Sequence, residues 1–466
     1  MNKYKKKEIA AVISSLEKAN EIIELYIKQK KVSEVNMLLI ECQNAAISIG
    51  TAIEESEGGT CAVIPMFEEY CECLYQMSLQ EGSEQLVYFQ QIQKKLRNID
   101  NWIRKNIVCK TEVVFLPYKA AMWDSMESVW KAVCADEKCE CHVVPIPYYV
   151  KNTEGELVEF CYDGKEFPQG VPIEDYQEYS LEKKHPDVII IHNAYDDSNY
   201  ITSVHPDFYS TELKNYTELL VYIPYFVSLY DVGKHYCAQP GVLMADLVFV
   251  QSETVRKTYI DEYDRILKEY GLENTLTPGR KKIIALGSPK FDKAKSSNKD
   301  VIDIPEEWRN LLEQNNKRVV LYNTHLSGVM KTQCEVFFKN LETELEIFKN
   351  NKDILLLWRP HPLTESTAMS MNPAAAKMYT GIVKKYREGQ WGIFDDTADL
   401  YRAITLADAY YGDVSSLVPL FCLTGKPTMV NRVNVKLADV NIEEEYCISD
   451  DKTCGEKIWE FIQRNV

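Results

Sequence analysis

The sequence predicts an α/β protein in which two doubly wound lobes follow an all-helical N-terminal region. Apolar side chains recur at helical spacing from residue 8 to about residue 105. Beyond Lys110, short runs rich in valine and isoleucine alternate with amphipathic stretches, which is typical of parallel strands buried on both faces. A polar, lysine-rich stretch at 293–303 interrupts this alternation. We therefore expect a helical bundle over residues 1–108, a first lobe over 109–292 and a second lobe over 293–466.

The helical region is expected to hold roughly three to five packed helices. Ile9, Ile13 and Leu16 follow the helical repeat at its start. The Gly58-Gly59 pair breaks the pattern, because glycine is a poor helix former and commonly ends a helix. The last long helix is predicted at about 83–105.

The predicted strands are short apolar runs followed by polar loops. In the first lobe they are 113–116, 143–147, 188–192, 219–226, 247–251 and 283–287. In the second lobe they are 318–322, 354–358, 392–394, 407–411 and 428–431. Open parallel sheets bind ligands at the carboxyl ends of their strands, so the residues after each run are the candidates for chemistry.

Charge argues against nucleic acid as a partner. The formal net charge is −17, so no overall positive field would attract a phosphate backbone. The basic run from Lys3 to Lys7 is expected to be a solvated terminus. No run approaches the ~20 apolar residues of a spanning helix. We therefore expect a cytoplasmic protein with at most peripheral contact at the inner face of the membrane.

The cysteines do not predict a metal site. Fourteen cysteines without an export signal indicate reduced thiols rather than a disulfide framework. The cluster of Cys134, Cys139, Cys141 and His142 lacks the paired spacing of a closed zinc site. We expect no bound metal and no cofactor.

The segment from Ala407 to Leu417 carries the richest set of polar groups. A predicted strand ends near Gly412, Asp413 follows it, and Ser415 and Ser416 open an apolar helix. Serines at a helix start have two possible roles. They either only cap free N–H groups, or they also help these groups bind a phosphate. The two adjacent hydroxyls and Lys426 downstream favour phosphate binding.

Three further strand ends carry candidate residues. Arg359 and His361 follow the strand at 354–358, where the guanidinium could grip a phosphate and the imidazole could move a proton or donate to an oxyanion. Thr324 and His325 follow the strand at 318–322, and the histidine is either a second acid or base or a structural residue. The third, Ser288 with Lys290, could contact the donor or form only the turn between the lobes.

Several common site motifs are absent from the sequence. The turn after the first strand has no GxGxxG, which removes support for a Rossmann-type dinucleotide site. There is no GxSxG elbow for serine-hydrolase chemistry and no GxxxxGK[ST] phosphate loop.

Together these segments resemble the CDP-glycerol glycerophosphotransferase family, which builds teichoic acids and related polymers. The matching segments are Gly-Ser-Pro-Lys-Phe-Asp at 287–292, Arg-Pro-His-Pro at 359–362, Asp-Val-Ser-Ser at 413–416 and Gly-Lys-Pro at 425–427. They occur in the family's order within about residues 283–430, under a third of the chain.

The resemblance implies a GT-B fold of two Rossmann-like lobes and a CDP-alcohol donor held by the second lobe. A hydroxyl of a cell-envelope or capsule precursor, lipid-linked or polymeric, would attack the donor's β-phosphorus and release CMP. Arg359, Ser415 and Ser416 would stabilise the phosphate charge, while His361 would act as a donor or acid/base group.

One departure leaves the function open. The family carries a Trp-His-Gly-type loop in its first lobe, and the corresponding strand end here reads Tyr-Ile-Pro-Tyr-Phe-Val, without histidine. Either His192, His205 or His235 takes the role of the base, or the reaction differs. The alternatives are a GT-B glycosyltransferase or related sugar-nucleotide enzyme, and a non-catalytic nucleotide-binding or scaffold protein.

Overall fold

The fold is described from a computed structural model. It covers residues 1–80, 83–152, 154–229, 232–298, 302–315, 317–330, 334–431, 446 and 451–466. The chain forms two compact units. The first comprises residues 1–113, 136–141 and 180–188, and the second comprises residues 114–135, 142–179 and 189–466.

The first unit is built from four long helices, within the predicted range. They are α1 (Lys3–Lys28), α2 (Val32–Glu57), α3 (Val63–Ser78) and α4 (Ser83–Asn106). Each helix buries an apolar stripe at the helical repeat, including Ile13, Leu39 and Phe67, because only one face of each helix meets the others. The second helix ends at Gly58, whose φ of 86° suits glycine.

The sheet of the first lobe has six strands in the order β2-β1-β5-β7-β8-β9. The strands are β1 (Thr111–Leu116), β2 (Cys139–Val143), β5 (Val188–Ile191), β7 (Leu219–Tyr222), β8 (Leu247–Val250) and β9 (Ile283–Ala285). The helices between them are α5 (Glu127–Cys134), α6 (Leu181–Lys184), α7 (Ser210–Leu213), α8 (Pro240–Met244), α9 (Glu253–Glu269) and α10 (Gly279–Lys282). The predicted strand at 143–147 was wrong in position, since the strand ends at Val143.

A small antiparallel sheet was not predicted. Its strands are β3 (Tyr148–Lys151), β4 (Leu157–Cys161) and β6 (Thr202–Val204), in the order β4-β3-β6. The first two form a hairpin whose turn includes Asn152 and Gly155. Asparagine and glycine between two β-rich runs are the usual signal for such a turn, and it was overlooked in the sequence.

The second lobe is a five-stranded parallel sheet in the order β12-β11-β10-β13-β14. Its strands are β10 (Arg318–Thr324), β11 (Ile354–Pro360), β12 (Gly392–Phe394), β13 (Ala409–Gly412) and β14 (Thr428–Val430). The helices are α11 (Pro289–Ser296), α12 (Glu306–Asn315), α13 (Cys334–Lys349), α14 (Thr364–Met371), α15 (Pro373–Gly389), α16 (Leu400–Leu406) and α17 (Leu417–Cys422). Leu321 and Leu357 pack on one face and Tyr322 and Trp358 on the other, so both faces are covered.

The last helix, α18 (Cys454–Gln463), returns to pack against α5 of the first lobe. The contact is close, because a Cβ at Gly455 would lie 2.3 Å from the carbonyl carbon of Ser128. Two doubly wound sheets in tandem with this return form a GT-B-like architecture, as predicted. In the part of the chain that the structure describes, no helix combines the length and apolar character needed to cross a membrane.

Candidate functional site

Three of the predicted segments meet at the carboxyl edge of the second sheet. Strands β11, β10 and β13 are neighbours, with Asn323 in register with Arg359 on one side and with Gly412 on the other. The residues after these strands therefore share one edge. This is the position at which open parallel sheets bind ligands.

Asn323 connects the three strand ends, a role that the sequence analysis did not assign to it. Its Nδ2 donates to the carbonyl of Arg359 at 2.9 Å. Its Oδ1 accepts from Ser415 Oγ at 2.8 Å and from Tyr410 Oη at 3.3 Å. Gly412 has a φ of 146°, and a Cβ there would lie 2.1 Å from the Asn323 carbonyl oxygen, so the close approach of the strands requires glycine.

His325 and His361 stand at neighbouring strand ends with their ring centres 5.6 Å apart. Nδ1 of His325 accepts from the backbone N–H of Ser327 at 3.2 Å, and Nδ1 of His361 accepts from that of Leu363 at 3.2 Å. Each neutral ring must therefore carry its proton on Nε2. Burial lowers the pKa of both imidazoles, and their mutual repulsion lowers that of His361 further.

Asp413 and the two serines complete this edge. Asp413 Oδ2 accepts from the backbone N–H of His325 at 2.8 Å and so fixes the start of that loop. Ser415 accepts from the N–H of Leu417 at 3.3 Å as well as donating to Asn323, which makes it a local cap. Ser416 is the N-cap residue of α17, is exposed, and makes no side-chain cap hydrogen bond. Its hydroxyl is the more available of the two.

Arg359 has partners within the protein, and its predicted contact with a phosphate stays a prediction. Its Nη1 pairs with the buried carboxylate of Asp395, and its Nη2 donates to the carbonyl of Thr397 at 2.8 Å. The side chain is 7% exposed. Asp395, which gave no signal in the sequence, neutralises the guanidinium and leaves Arg359 to hold the β12 loop to β11.

Thr324 and Lys426 also have partners that the sequence analysis did not anticipate. Thr324 Oγ1 accepts from Trp358 Nε1 at 3.2 Å and is buried. Lys426 Nζ donates to the carbonyls of Ile404 and Thr405 at 3.0 and 3.1 Å, at the C-terminal end of α16. Cations favour that end of a helix. The predicted contact of these two side chains with the donor stays a prediction.

The turn at 287–292 joins elements of the two lobes, as its alternative interpretation held. Lys290 Nζ is buried and pairs with Asp124 at 2.5 Å, and the same carboxylate accepts from Tyr401 Oη at 2.6 Å. Ser288, also buried, accepts from the backbone N–H of Lys290 at 3.4 Å. The donor-binding role predicted for Ser288 and Lys290 is corrected, because both side chains lie inside this packing.

Asp292 ends the same turn and holds the start of α18. Its carboxylate accepts from the backbone N–H groups of Cys454 and Gly455 at 2.8 and 3.0 Å and from Ser128 Oγ at 2.6 Å. A carboxylate is favourable at a helix N-terminus. This motif therefore has a structural explanation in this chain.

His192 is enclosed, and its predicted catalytic role is corrected. The residue is 0% exposed. Nε2 accepts from the backbone N–H of Tyr118 at 3.0 Å, and Nδ1 lies 3.1 Å from Ser125 Oγ. Burial lowers its pKa to about 3. A ring with both nitrogens occupied inside the core has no access to a substrate, whereas His205 is half-buried and His235 is exposed.

A cavity of about 260 Å³ adjoins His361. It is lined by residues from the ends of β11 and β12 and from α14 and α15. They include Arg359, His361, Glu365, Tyr379, Val383, Arg387, Phe394, Asp395, Asp396 and Thr397. Among the described residues, no group of His, Cys, Asp and Glu side chains is arranged to hold a metal ion.

No family model matches the chain, and no curated protein matches it. Several solved structures are similar. Staphylococcus aureus MnaA with UDP is 13% identical with a TM-score of 0.44, over 76% of this chain and 96% of that one. The Neisseria meningitidis UDP-GlcNAc 2-epimerase bound to UDP-GlcNAc is 13% identical with a TM-score of 0.45, over 76% and 100%. The wall teichoic acid polymerase TagF is 10% identical with a TM-score of 0.43, over 86% and 98%.

Proposed function

We propose that this chain is an enzyme acting on a nucleotide-activated donor, and that it transfers a glycerophosphate or similar phosphoalcohol unit from a CDP-linked donor to an acceptor hydroxyl. The acceptor belongs to a cell-envelope or capsule precursor. The observation that carries the proposal is the pair of imidazoles at adjacent strand ends, each with Nδ1 held by a backbone N–H. The donor's phosphates would lie at the ends of β10, β11 and β13.

This pair is suited to a phosphate because it offers two N–H donors that no other group among the described residues uses. With Nδ1 occupied, each Nε2 carries a proton, and among the described residues neither Nε2 has a hydrogen-bond partner. Ser416 adds an exposed hydroxyl at the start of α17, after β13. Positioned donors of this kind are the main contribution a protein makes to phosphoryl transfer.

In the proposed reaction the acceptor oxygen bonds to the donor's β-phosphorus. The bond from that phosphorus to the bridging oxygen breaks, and the electron pair leaves with CMP. Nε2–H of His361 would stabilise the charge that develops on the leaving phosphate. The proton of the acceptor hydroxyl passes to solvent water, since a neutral ring that is already protonated at Nε2 cannot accept it there.

Thermal-shift measurements with CMP, CDP-glycerol, CDP-ribitol and UDP-sugars test the proposal, because a ligand that binds the folded state raises its stability. We expect shifts with CMP and both CDP-alcohols and none with UDP-sugars. Shifts with UDP-sugars alone would contradict the proposal and indicate a sugar-nucleotide enzyme instead. No response to any nucleotide would favour a scaffold protein.

A further inference from the structure

The cavity beside His361 has a mixed lining that no step of the proposed reaction uses. Tyr379, Val383 and Phe394 supply apolar surface, while Glu365 and Asp396 supply carboxylates. The cavity adjoins the imidazole that would contact the leaving phosphate. A substrate group attached to the donor's phosphates could therefore reach it.

The charges in this lining are largely cancelled by pairing. Arg359 pairs with Asp395 in the interior, and Arg387 pairs with Asp396 at 2.5 Å. Arg387 also lies 4.5 Å from the ring centre of Phe394, so that ring face is already covered by a cation. Glu365 has no ion pair among the described residues and accepts only from Thr380 Oγ1 at 3.3 Å. The balance disfavours a second phosphate here, because one carboxylate is left uncompensated.

Tyr379 supplies an independent indication of a polar ligand. The residue is 4% exposed, and its hydroxyl makes no hydrogen bond within the part of the chain that the structure describes. The hydroxyl oxygen itself is not fully buried. A tyrosine hydroxyl that is mostly buried usually has a partner, so this one is available to a group in the cavity.

We propose that this cavity binds the neutral, hydroxyl-rich part of the substrate, a polyol or sugar. Hydroxyl groups would donate to Glu365 and exchange hydrogen bonds with Tyr379, while carbon-bound hydrogens would pack on the apolar surface. The proposal rests on the proposed function, because it assigns the cavity to the alcohol carried by the donor. It makes Tyr379 and Glu365 residues that select the alcohol.

Saturation-transfer NMR with free ribitol tests this on the full chain. Ribitol carries no phosphate, so its binding reports the cavity independently of the imidazole pair. We expect a saturable signal with the wild-type protein and an affinity about five-fold weaker in Tyr379→Phe, which loses one hydrogen bond. Glu365→Gln should also lower the affinity for ribitol. Tyr270→Phe, a change at an exposed tyrosine outside the cavity, should leave it unchanged.

The outcomes separate the two proposals. The cavity assignment is overturned if ribitol gives no signal with the wild-type protein, or if neither Tyr379→Phe nor Glu365→Gln weakens it. The assignment is also wrong if Tyr379→Phe lowers the affinity for CMP as much as the affinity for ribitol, since the cavity would then hold the nucleotide. A wild-type protein that binds ribitol but neither CMP nor CDP-glycerol would contradict the proposed function and support the cavity.

Discussion

The hydroxyl of Ser415 donates a 2.8 Å hydrogen bond to Oδ1 of Asn323, which fastens the loop after β13 to the end of β10. The other side of the same amide donates to the carbonyl of Arg359 on β11. One buried side chain thus sets the spacing of three strand ends. The site depends on this spacing because His325 and His361 follow two of those strands.

Replacement of Asn323 by alanine should destabilise the second lobe. The change removes the hydrogen bonds that Asn323 makes with the Arg359 carbonyl and the Ser415 hydroxyl, at a cost of about 1–3 kcal/mol in unfolding free energy. Ser415→Ala removes a single hydrogen bond and should cost less. Urea denaturation of both variants measures the difference. Equal stability of Asn323→Ala and the wild-type protein would contradict the role assigned to the amide.

Donor affinity should change little as pH falls from about 8 to about 7. Burial lowers the pKa of His325 and of His361 below the usual value of about 6.5, so both rings are neutral in this range and each keeps its proton on Nε2. Since Nδ1 of each ring accepts from a backbone N–H, binding of the diphosphate should not protonate it. Calorimetry with CDP-glycerol in buffers of different ionisation enthalpy measures proton uptake, and we expect none. Uptake of a proton on binding would contradict contact between the phosphates and neutral rings.

His361→Ala should abolish most turnover while leaving the fold intact. The backbone N–H of His361 still donates to the Thr324 carbonyl in the variant, so the loop keeps its anchor. We expect a loss of about 100- to 1000-fold in CMP release from CDP-glycerol, typical of removing one donor that stabilises developing charge. Ser366→Ala, on the next helix and outside the site, serves as the control. Normal CMP release by the histidine variant would refute the assignment.

Acid sensitivity of the fold should depend on His192. Its pKa is lowered to about 3 in the folded protein, whereas an unfolded histidine titrates near 6.5. Between these values the unfolded state binds one more proton, so stability falls as pH falls, by about 1.4 kcal/mol per pH unit from this group. The contribution is complete above the unfolded value. His192→Gln should flatten the dependence of the unfolding midpoint on pH below about 6.5, and an unchanged slope would contradict the assignment.

The fold could be predicted because buried strands have a recognisable pattern of apolar residues in the local sequence. The run at 354–358, Ile-Leu-Leu-Leu-Trp, lies in strand β11, since large apolar residues buried on both faces leave a continuous apolar signal. The antiparallel sheet was missed because its strands are short. β4, Leu-Val-Glu-Phe-Cys, is largely apolar in sequence but mostly exposed, and β6 has only three residues. The hairpin of this sheet was signalled only by turn residues.

The candidate site was predicted less completely, because position along the chain does not reveal a side chain's partner. The ends of β10, β11 and β13 were identified as candidate positions, and the structure shows that they are neighbours. Arg359 and Lys426 look like phosphate ligands in the sequence, but Asp395 and the α16 carbonyls engage them, and both partners are distant in sequence. No role was assigned to Asn323 or Tyr379 from the sequence, since a lone amide or tyrosine carries no motif.

The most direct measurement is the crystal structure of the protein with CMP bound. The account predicts that the phosphate lies at the carboxyl edge of the second sheet, within hydrogen-bonding distance of Nε2 of both His325 and His361. CMP bound at another place, or a phosphate contacted by neither imidazole, would contradict it.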